Sequence, residues 1–444
     1  MIRHMLHLRS PGNWINDPNG FLYYRGLYHL FYQHFPYEPR WGTMHWGHAV
    51  SRDLVTWEHR GIALYPSKYW DQNGCFSGSA MEHEGALCLY YTGVRYEVVS
   101  PEDIHRSIDE QFEASQLMLV SPDGVRFDNT QKRVIIPPIT DPETGDRRHT
   151  RDPKVWRGAD GRFHMVLGTT VNGCGRLLFY ESPDGLTWTY QNCCTGKSAA
   201  LGHMWECPDL FFVDGAWVLC MSPIGFQWEG KAVQQSVCAV VEFEEMSAAL
   251  TLPQDFSLID YGGDLYAPQT ATDSEGRRTM IAWMRMPRPV DAETPWSGLM
   301  CAPRLVEVRG GRTAFPMHPN VRAAFQKPVP CDAPFEAGVP CLFELRLREG
   351  ESVSIGGYRI ALRGGCICTD RSGVCERADG LTMQAKTPEL GEAVQLEILT
   401  DENIIEIYVN YGARVLSQVI YEWQNGLTFP AQTDVRRWEM EQPV

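Results

Sequence analysis

Long apolar runs are missing from this chain of 444 residues. No segment approaches the roughly 18 consecutive apolar residues that a membrane-spanning helix needs, and the first 20 residues contain no apolar stretch typical of a secretion signal. We therefore expect neither a membrane-embedded nor a secreted protein. Because disulfides form mainly in oxidising compartments, the 14 scattered cysteines are predicted to be reduced thiols of a cytoplasmic protein.

Basic residues are also scarce. Lys and Arg number 40 against 55 Asp and Glu, which gives a formal net charge of −15. A field of that sign repels phosphate backbones and anionic bilayers, so we expect no nucleic-acid and no membrane partner. A neutral small molecule is unaffected by the field and is the favoured ligand class. No sequence pattern indicates an oligomeric state.

Paired Cys-x-x-Cys motifs are absent as well. Cys366, Cys368 and Cys375 lie close together in the sequence, but their spacing is not that of a zinc site. The sequence therefore predicts neither a metal ion nor a cofactor.

A repeated pattern of two strands runs through the first 300 residues. Each copy has a small or proline-containing start, a strand, a glycine-containing turn and a second strand; the copies start at Asp17, Ser77, Asp152, Cys207 and Ala267. Three of the intervals share a further strand-and-turn element, which reads SRDLVTW, SPDGVRF or SPDGLTW. About four strands per repeat correspond to one propeller blade. The sequence therefore predicts an all-β protein in which residues 1–315 form a five-bladed β-propeller.

The composition changes after Phe315. Five prolines fall within residues 316–336, which predicts a linker between two domains. Short alternating strands such as VQLEI and IIEIYV follow, with turns about every ten residues. Residues 337–444 are accordingly predicted to form an antiparallel β-sandwich with a structural role.

One segment has the features of a helix. In residues 100–115, Ser100 suits a cap position, Pro101 suits a first turn, and acidic residues follow. We expect this helix to be an insertion in the connection after the second repeat, either as a lid over the site or as a neutral surface element.

Three acidic side chains occupy or adjoin repeat starts. They are Asp17, Asp152 and Glu206. Each one alone is more typical of a turn, since Asp-Pro and Asp-Pro-Asn-Gly are good turn sequences. Propeller geometry, however, places equivalent positions of all blades around one end of the central channel. Together the three acids therefore predict a carboxylate-based catalytic site.

The segments around these acids resemble a known enzyme family. WINDPNG (14–20), RDP (151–153) and WECPD (205–209) are similar to the three signature blocks of glycoside hydrolase family 32, and FYQ, WGHAVS, FSGS and YAPQT support the match in the same order. The family includes invertases, sucrose-6-phosphate hydrolases, inulinases and levanases. The resemblance implies a retaining glycosidase that releases fructose from β-fructofuranosides.

It also implies residue roles. Asp17 would be the nucleophile, Glu206 the general acid and base, and Asp152 the carboxylate that holds the fructose hydroxyls. Asn16 and backbone donors are expected to keep Asp17 charged, and Trp205 to favour protonation of Glu206. The pocket residues implied by the family are Asn16, Gln33, Trp41, Phe76, Ser77, Arg151 and Trp283, with Tyr266 and Cys207 beside the pocket.

Three alternatives remain open at this level. A fructosyltransferase would use the same acids. Inverting enzymes that act on arabinan or xylan share the predicted fold, although they do not account for WINDPNG. A sugar-binding propeller without catalysis belongs to another class and would not need a paired nucleophile and acid. The sequence does not select among sucrose, its 6-phosphate and short fructo-oligosaccharides, and it shows no basic cluster suited to a phosphate.

Overall fold

The computed structural model describes residues 3–197, 200–376 and 380–440. The regular structure within them consists of strands, apart from one short α-helix, α1 (Pro319–Ala323), and one 3-10 turn at Asn129–Gln131. None of the helices found there is long and apolar enough to cross a bilayer. The expectation of an all-β protein is confirmed.

The first sheet is built from the N-terminal strands in the order β1-β5-β4-β3-β2. Neighbours in this order pair antiparallel, and a later strand of the chain, β22 (Trp296–Ser297), pairs with β2 in parallel. The strands are β1 (Arg3–Met5), β2 (Asn13–Tyr24), β3 (Leu27–Phe35), β4 (His45–Ser51) and β5 (Thr56–Leu64).

The second and third sheets are simple antiparallel meanders of four strands each, in chain order. The second contains β6 (Gly74–His83), β7 (Ala86–Tyr96), β8 (Phe112–Ser121) and β9 (Arg133–Ile136). The third contains β10 (Arg151–Arg157), β11 (Phe163–Val171), β12 (Cys174–Ser182) and β13 (Thr189–Thr195).

The fourth and fifth sheets continue this plan with more irregular outer strands. The fourth contains β14 (Leu201–Val213), β15 (Ala216–Trp228), β16 (Lys231–Val233), β17 (Val237–Glu244), β18 (Ala249–Thr251) and β19 (Ser257–Leu258). Seven strands follow in the chain: β20 (Leu265–Thr272), β21 (Arg278–Met284), β22 (Trp296–Ser297), β23 (Leu299–Met300), β24 (Arg304–Leu305), β25 (Glu307–Arg309) and β26 (Arg312–Ala314). The fifth sheet contains β20, β21, β23 and β24. β22 pairs in parallel with β2 of the first sheet, and β25 and β26 form a separate hairpin.

One strand of each of the five sheets lies innermost, and these five inner strands contact one another in a closed ring. β2 contacts β6, β6 contacts β10, β10 contacts β14, β14 contacts β20, and β20 returns to β2. A separate apolar layer fills each gap between neighbouring sheets, for example Leu22 and Phe31 against Leu89 and Leu117 between the first two. Burial of these layers therefore holds five inner strands around one axis.

Each inner strand has a bulge at the same height. Two of its residues face one residue of the next strand, at positions 16–17, 76–77, 152–153, 207–208 and 267–268. In three strands the second bulge residue is a proline, which removes no ladder hydrogen bond where the residue is unpaired. The residue before each of these prolines has a left-handed φ: 66° at Asp152, 48° at Cys207 and 51° at Ala267. A bulge interrupts the regular alternation of side chains between the two faces of a strand. In these five strands the bulges direct side chains toward the axis.

The rest of the chain forms two further antiparallel sheets. One has the order β27-β37-β28-β33-β34-β35, the other β32-β31-β30-β29-β36, and their apolar faces share one core. The strands are β27 (Lys327–Val329), β28 (Cys341–Arg348), β29 (Ser352–Ile355), β30 (Tyr358–Arg363), β31 (Cys366–Asp370), β32 (Gln384–Lys386), β33 (Ala393–Asp401), β34 (Ile404–Val409), β35 (Arg414–Val419), β36 (Leu427–Thr428) and β37 (Val435–Glu439). β27 lies within the proline-rich segment 316–336 and pairs with β37, and α1 lies in the same segment.

The predicted helix over residues 100–115 is wrong. Ser100 does accept hydrogen bonds from the backbone of Glu102 and Asp103, as a cap would. The chain then leaves helical geometry, with positive φ at Asp109 and Glu110, and enters β8 at Phe112. Tertiary contacts override the local preference, because side chains of this loop also bind the segment before β4.

Those contacts join the loop to residues 35–43. Arg40 pairs with Asp103 at 2.9 Å, and the His105 ring lies against Phe35 while its Nδ1 is 2.8 Å from Thr43 Oγ1. The insertion is thus held as an irregular loop beside β3 and β4.

The two parts of the molecule are joined by buried ion pairs. Arg304 binds Asp260 and Glu406, both at 2.9 Å, and Arg371 pairs with Asp264. His7 lies between Asp401 and Glu406. Each of these sets contains residues from both parts of the molecule. The ion pairs therefore fix how the two parts meet.

Candidate active site

The bulged ends of the inner strands bring the three predicted acids together. Asp17 lies in the bulge of β2 and Asp152 in that of β10, and Glu206 immediately precedes the bulge of β14. The Cys207 thiol is 3.6 Å from Asp17 Oδ2 and equally 3.6 Å from Asp152 Oδ2. Side chains that are 135 residues apart in sequence therefore face the same sulfur atom.

Asp17 is held by donors from two neighbouring strands. Ser77 Oγ donates to Asp17 Oδ2 at 2.5 Å, and Asn16 Nδ2 donates to Asp17 Oδ1 at 3.2 Å. Gln33 in turn donates to the Ser77 hydroxyl, and Trp14 Nε1 donates to Asn16 Oδ1 at 2.8 Å. The predicted residues Asn16, Gln33 and Ser77 thus form one network that orients the Asp17 carboxyl group.

Asp152 is anchored by two other strands, through a side-chain hydroxyl of β7 and a backbone N–H of β14. Its own N–H donates to Thr92 Oγ1 at 2.9 Å, and its Oδ2 accepts the Cys207 N–H at 2.9 Å. The side chain is 6% exposed. Its orientation is therefore set by β7 and β14 together.

Glu206 has one charged and one neutral donor. Arg151 Nη2 donates to Oε1 at 2.8 Å, and the Tyr266 hydroxyl donates to Oε2 at 2.7 Å. The Tyr266 oxygen also lies 3.0 Å from the Ser222 carbonyl. Each carboxylate oxygen thus has its own donor, which fixes the plane of the group.

The electrostatics of the site disfavour negative charge. Burial raises the pKa of Asp17, and the nearby Glu206 raises it further, although the Ser77 and Asn16 hydrogen bonds oppose this. Burial also raises the pKa of Asp152 to about 7, with Arg151 opposing the shift and the other two acids adding to it. Asn16 donates to Asp17 as expected, but the expected backbone donors are replaced by the Ser77 hydroxyl. Burial outweighs these donors, so the net shift of the Asp17 pKa is upward, opposite to the effect of the donors alone.

Trp205 does not act on Glu206 as expected. Its side chain is fully buried in the core between the third and fourth sheets, and its Nε1 donates to the Leu201 carbonyl at 2.8 Å. Successive strand residues point to opposite faces, so the neighbour of an axial side chain turns into the core. Arg151 and Tyr266 are the residues that contact the Glu206 carboxyl group.

The predicted aromatic pocket residues lie in two edge-to-face pairs, one of which Trp14 completes. Trp41 meets Phe76 edge to face, with ring centroids 5.9 Å apart, and Trp283 meets Trp14 in the same way at 5.8 Å. Trp14 also hydrogen-bonds to Asn16, which connects the second pair to the carboxylate network.

Four further residues contribute to the site. From the sequence, Tyr266 and Cys207 are expected only beside the pocket, and Thr92 and Trp14 are not among the expected pocket residues. Tyr266 precedes the bulge of β20 as Glu206 precedes that of β14, so alignment of the YAPQ and ECPD segments was a usable signal. Thr92 lies on the second strand of its sheet and has no such signal.

Comparison with known families agrees with this geometry. The Glycosyl hydrolases family 32 N-terminal domain matches residues 7–319, and the C-terminal domain of the same family matches residues 348–439. The chain belongs to glycosyl hydrolase family 32. It is accordingly a glycosidase.

Several relatives of this family 32 enzyme cover nearly its whole length. It is 34% identical to the raffinose invertase of Escherichia coli over 94% of this chain and 89% of the relative. Identity to the sucrose-6-phosphate hydrolase of Bacillus subtilis (strain 168) is 31%, over 94% and 88%. A variant of the Bombyx mori GH32 beta-fructofuranosidase in complex with sucrose superposes with a TM-score of 0.82 at 26% identity, covering 99% of this chain and 94% of that one.

Among residues 3–197, 200–376 and 380–440, no three His, Cys, Asp or Glu side chains are placed to hold a metal ion. The chemistry that the described residues can supply is that of three carboxyl groups, one guanidinium, one phenol and one thiol.

Proposed function

We propose that the protein is a retaining hydrolase that releases fructose from β-fructofuranosides. The observation that carries this proposal is the convergence of Asp17, Asp152 and Glu206 at one end of the inner strands, in a chain of family 32. Retaining glycosidases use a nucleophile and an acid on the two sides of the bond that breaks.

Asp17 is proposed as the nucleophile. Its Oδ1 and Oδ2 accept hydrogen bonds from separate donors, so the carboxylate is oriented before the sugar arrives. Attack on the anomeric carbon forms a fructosyl ester and neutralises a carboxylate whose charge the buried site disfavours. The Ser77 and Asn16 donors favour the ionised form that this step needs.

Glu206 is proposed as the general acid and then the general base. It first protonates the leaving oxygen and later takes a proton from the water that releases fructose. Arg151 and Tyr266 hold its two oxygens, which keeps the proton-transfer geometry the same in both steps. Asp152 is proposed to bind the fructose hydroxyls and to stabilise positive charge on the ring.

We also propose the finer architecture on which this chemistry depends. Residues 1–315 form a five-bladed β-propeller and residues 337–444 a β-sandwich, joined by 316–336. The ring of inner strands and the five bulges at one height support the blade count. Pairing of β27 with β37 supports a sandwich that begins inside the joining segment.

Sucrose-type sugars are the proposed substrates. The relatives are named for raffinose and for sucrose 6-phosphate, and one related structure holds sucrose. The basic residues before Arg151 already meet acids, Arg147 with Glu113 and Arg148 with Asp146. A neutral fructoside such as sucrose or a short fructo-oligosaccharide is therefore favoured over a phosphorylated one. We place the enzyme in the cytoplasm, where imported sugars would meet it.

Activity of two isosteric variants tests the proposal. Asp17→Asn and Glu206→Gln should each lower kcat on sucrose by about 10³-fold or more, since each removes a group that reacts in the transition state. Glu344→Gln, a carboxylate of β28 paired with Arg322, is the matched control and should retain full activity. The panel comprises sucrose, sucrose 6-phosphate, 1-kestose, inulin and levan, and NMR of the first product should show the β-anomer. Inverted product, or either site variant with most of its activity, would refute the mechanism; oligosaccharide products at high sucrose would show transfer.

A further inference from the structure

The axis enclosed by the five inner strands has two ends. Near its middle a narrow channel is lined by residues from all five strands, among them Ser77, Asp152, Lys154, Asp209 and Gln269. The carboxylates lie at one end of it. At the other end the last residues of the same strands line a cavity of about 610 Å³.

The charges at this second end differ from those at the first. Arg278 lines the cavity, and within the described residues its guanidinium forms no ion pair; its nearest polar partner there is a hydroxyl group. Its contacts are the Phe211 ring, 4.8 Å from Cζ, and a long hydrogen bond of 3.5 Å to Thr270 Oγ1. Arg278 therefore presents a half-buried positive charge to the cavity.

The neighbouring charges do not neutralise it. Lys154 binds Asp209 at 3.0 Å and the Thr270 carbonyl at 2.6 Å, so that carboxylate already has a cation. Glu245 lines the same cavity, but its two oxygens accept the Trp156 ring N–H and the Ala159 backbone N–H. Burial lowers the pKa of Arg278, and the attraction of Asp209 opposes this shift only in part.

The remaining wall is aromatic. Trp156, Phe211, Phe212 and Trp217 line the cavity, and Phe212 is 55% exposed. Aromatic faces pack against the apolar faces of rings, and a guanidinium binds phosphate oxygens through two parallel hydrogen bonds. Thr272 and the exposed carboxylate of Glu82 add partners for hydroxyl groups.

We propose that this cavity, at the end of the axis opposite the carboxylates, is a binding site for a small sugar phosphate. The phosphate binds Arg278 and the sugar ring lies against Trp156 and Phe212. In a protein with a net charge of −15, an anion is attracted only where positive charge locally outweighs negative charge. The site is independent of the proposed catalytic roles.

Calorimetry on the intact protein tests this site with glucose 6-phosphate, inorganic phosphate and glucose as probes. One glucose 6-phosphate should bind per chain, more tightly than inorganic phosphate, and glucose alone should show no binding. Arg278→Leu, which keeps apolar packing against Phe211, should weaken glucose 6-phosphate at least tenfold without changing hydrolysis of sucrose. Phe212→Ala removes an exposed wall residue, with little risk to folding, and should weaken the sugar phosphate but not inorganic phosphate.

Variants at the other end of the axis locate the bound probe. Arg151→Leu alters the carboxylate end and should leave the affinity for glucose 6-phosphate unchanged. Loss of binding in Arg151→Leu with retention in Arg278→Leu would place the ligand among the carboxylates and overturn the proposal. Equal affinity for inorganic phosphate and glucose 6-phosphate would overturn the part played by the aromatic wall. If Arg278→Leu does not fold, Arg278→Lys should keep weakened binding, and unchanged affinity in both Arg278→Lys and Phe212→Ala would refute the site.

Discussion

The axial site and the junction between the two parts of the molecule both bury carboxyl groups, but with opposite results. At the junction, burial alone would raise the pKa of Glu406, yet Arg304 and His7 lower it to about 2. At the axial site, burial raises the pKa of Asp152 to about 7, and the groups that oppose the shift are one cation, Arg151, and the Cys207 N–H. The number of nearby cations decides the difference. A carboxylate used for structure is fully paired, whereas one available for chemistry is left partly unpaired.

Removing the shared cation of the junction should have the largest effect on stability. Arg304→Met leaves Asp260 and Glu406 buried without this partner and should lower the free energy of unfolding by about 3–5 kcal/mol. Denaturant unfolding measures the change. Lys327→Met, at the exposed pair with Glu439, is the matched control and should cause no measurable change. Similar losses in both variants would contradict the distinction between buried and exposed pairs.

The pH dependence of stability should reveal His7. Burial alone would lower its pKa, but the hydrogen bonds with Asp401 and Glu406 raise it to about 9. Because the folded pKa exceeds the unfolded value of about 6.5, this stabilisation is complete below pH 6.5 and is lost as pH rises through 9. The contribution is on the order of 3 kcal/mol. In His7→Gln, stability measured from pH 6 to 10 should decline less than in the parent; an identical decline would exclude His7 as its source.

Asp152 should show that the axial site opposes stability. Its folded pKa of about 7 exceeds the unfolded value of 3.8. The folded state is therefore favoured most below pH 3.8, where the carboxyl group is protonated in both states, and this stability is lost as the pH rises through 7. Asp152→Asn removes the penalty on the charged form, and it should stabilise the fold at pH 8 by on the order of 2 kcal/mol while abolishing most activity. Thermal unfolding at pH 4.5 and pH 8 measures this. A gain that does not grow with pH would count against titration of Asp152.

The smallest effect is expected at Tyr266. Tyr266→Phe removes one donor from Glu206 but keeps the ring, and it should lower kcat about tenfold with little change in KM. The pH profile of kcat is measured alongside, since a hydroxyl that acts only in packing would leave it unchanged. Tyr261→Phe, a buried tyrosine outside the site, is the control. An unchanged profile in Tyr266→Phe would limit the hydroxyl to a structural part.

Much of the site was predictable because its signals are local. Asp17, Asp152 and Glu206 are each set in short segments next to a proline, and the repeats place those segments at equivalent positions. Asn16, Gln33 and Ser77 were predicted too, and they form one network. Trp205 was assigned the wrong surroundings, because strand alternation directs it into the core while the bulge directs Cys207 to the axis.

The helix error has a different origin. The segment 100–115 has good capping residues, but few apolar side chains that a helix could bury. Contacts of Asp103 and His105 with residues 35–43 stabilise the loop in place of the hydrogen bonds that a helix would form. Such contacts are between segments about 60 residues apart, and no local pattern reports them.

The amino-acid sequence by itself determined the strand repeats, the three acidic segments and the scarcity of positive charge, because each depends on residue type and short spacing. Tertiary structure alone decided which way each side chain at a bulge points, which cations reach which carboxylates, and that Arg278 lacks an acidic partner. The physical reason is that desolvation and charge pairing depend on distances of a few ångströms between strands, and those distances exist only after the sheets have packed.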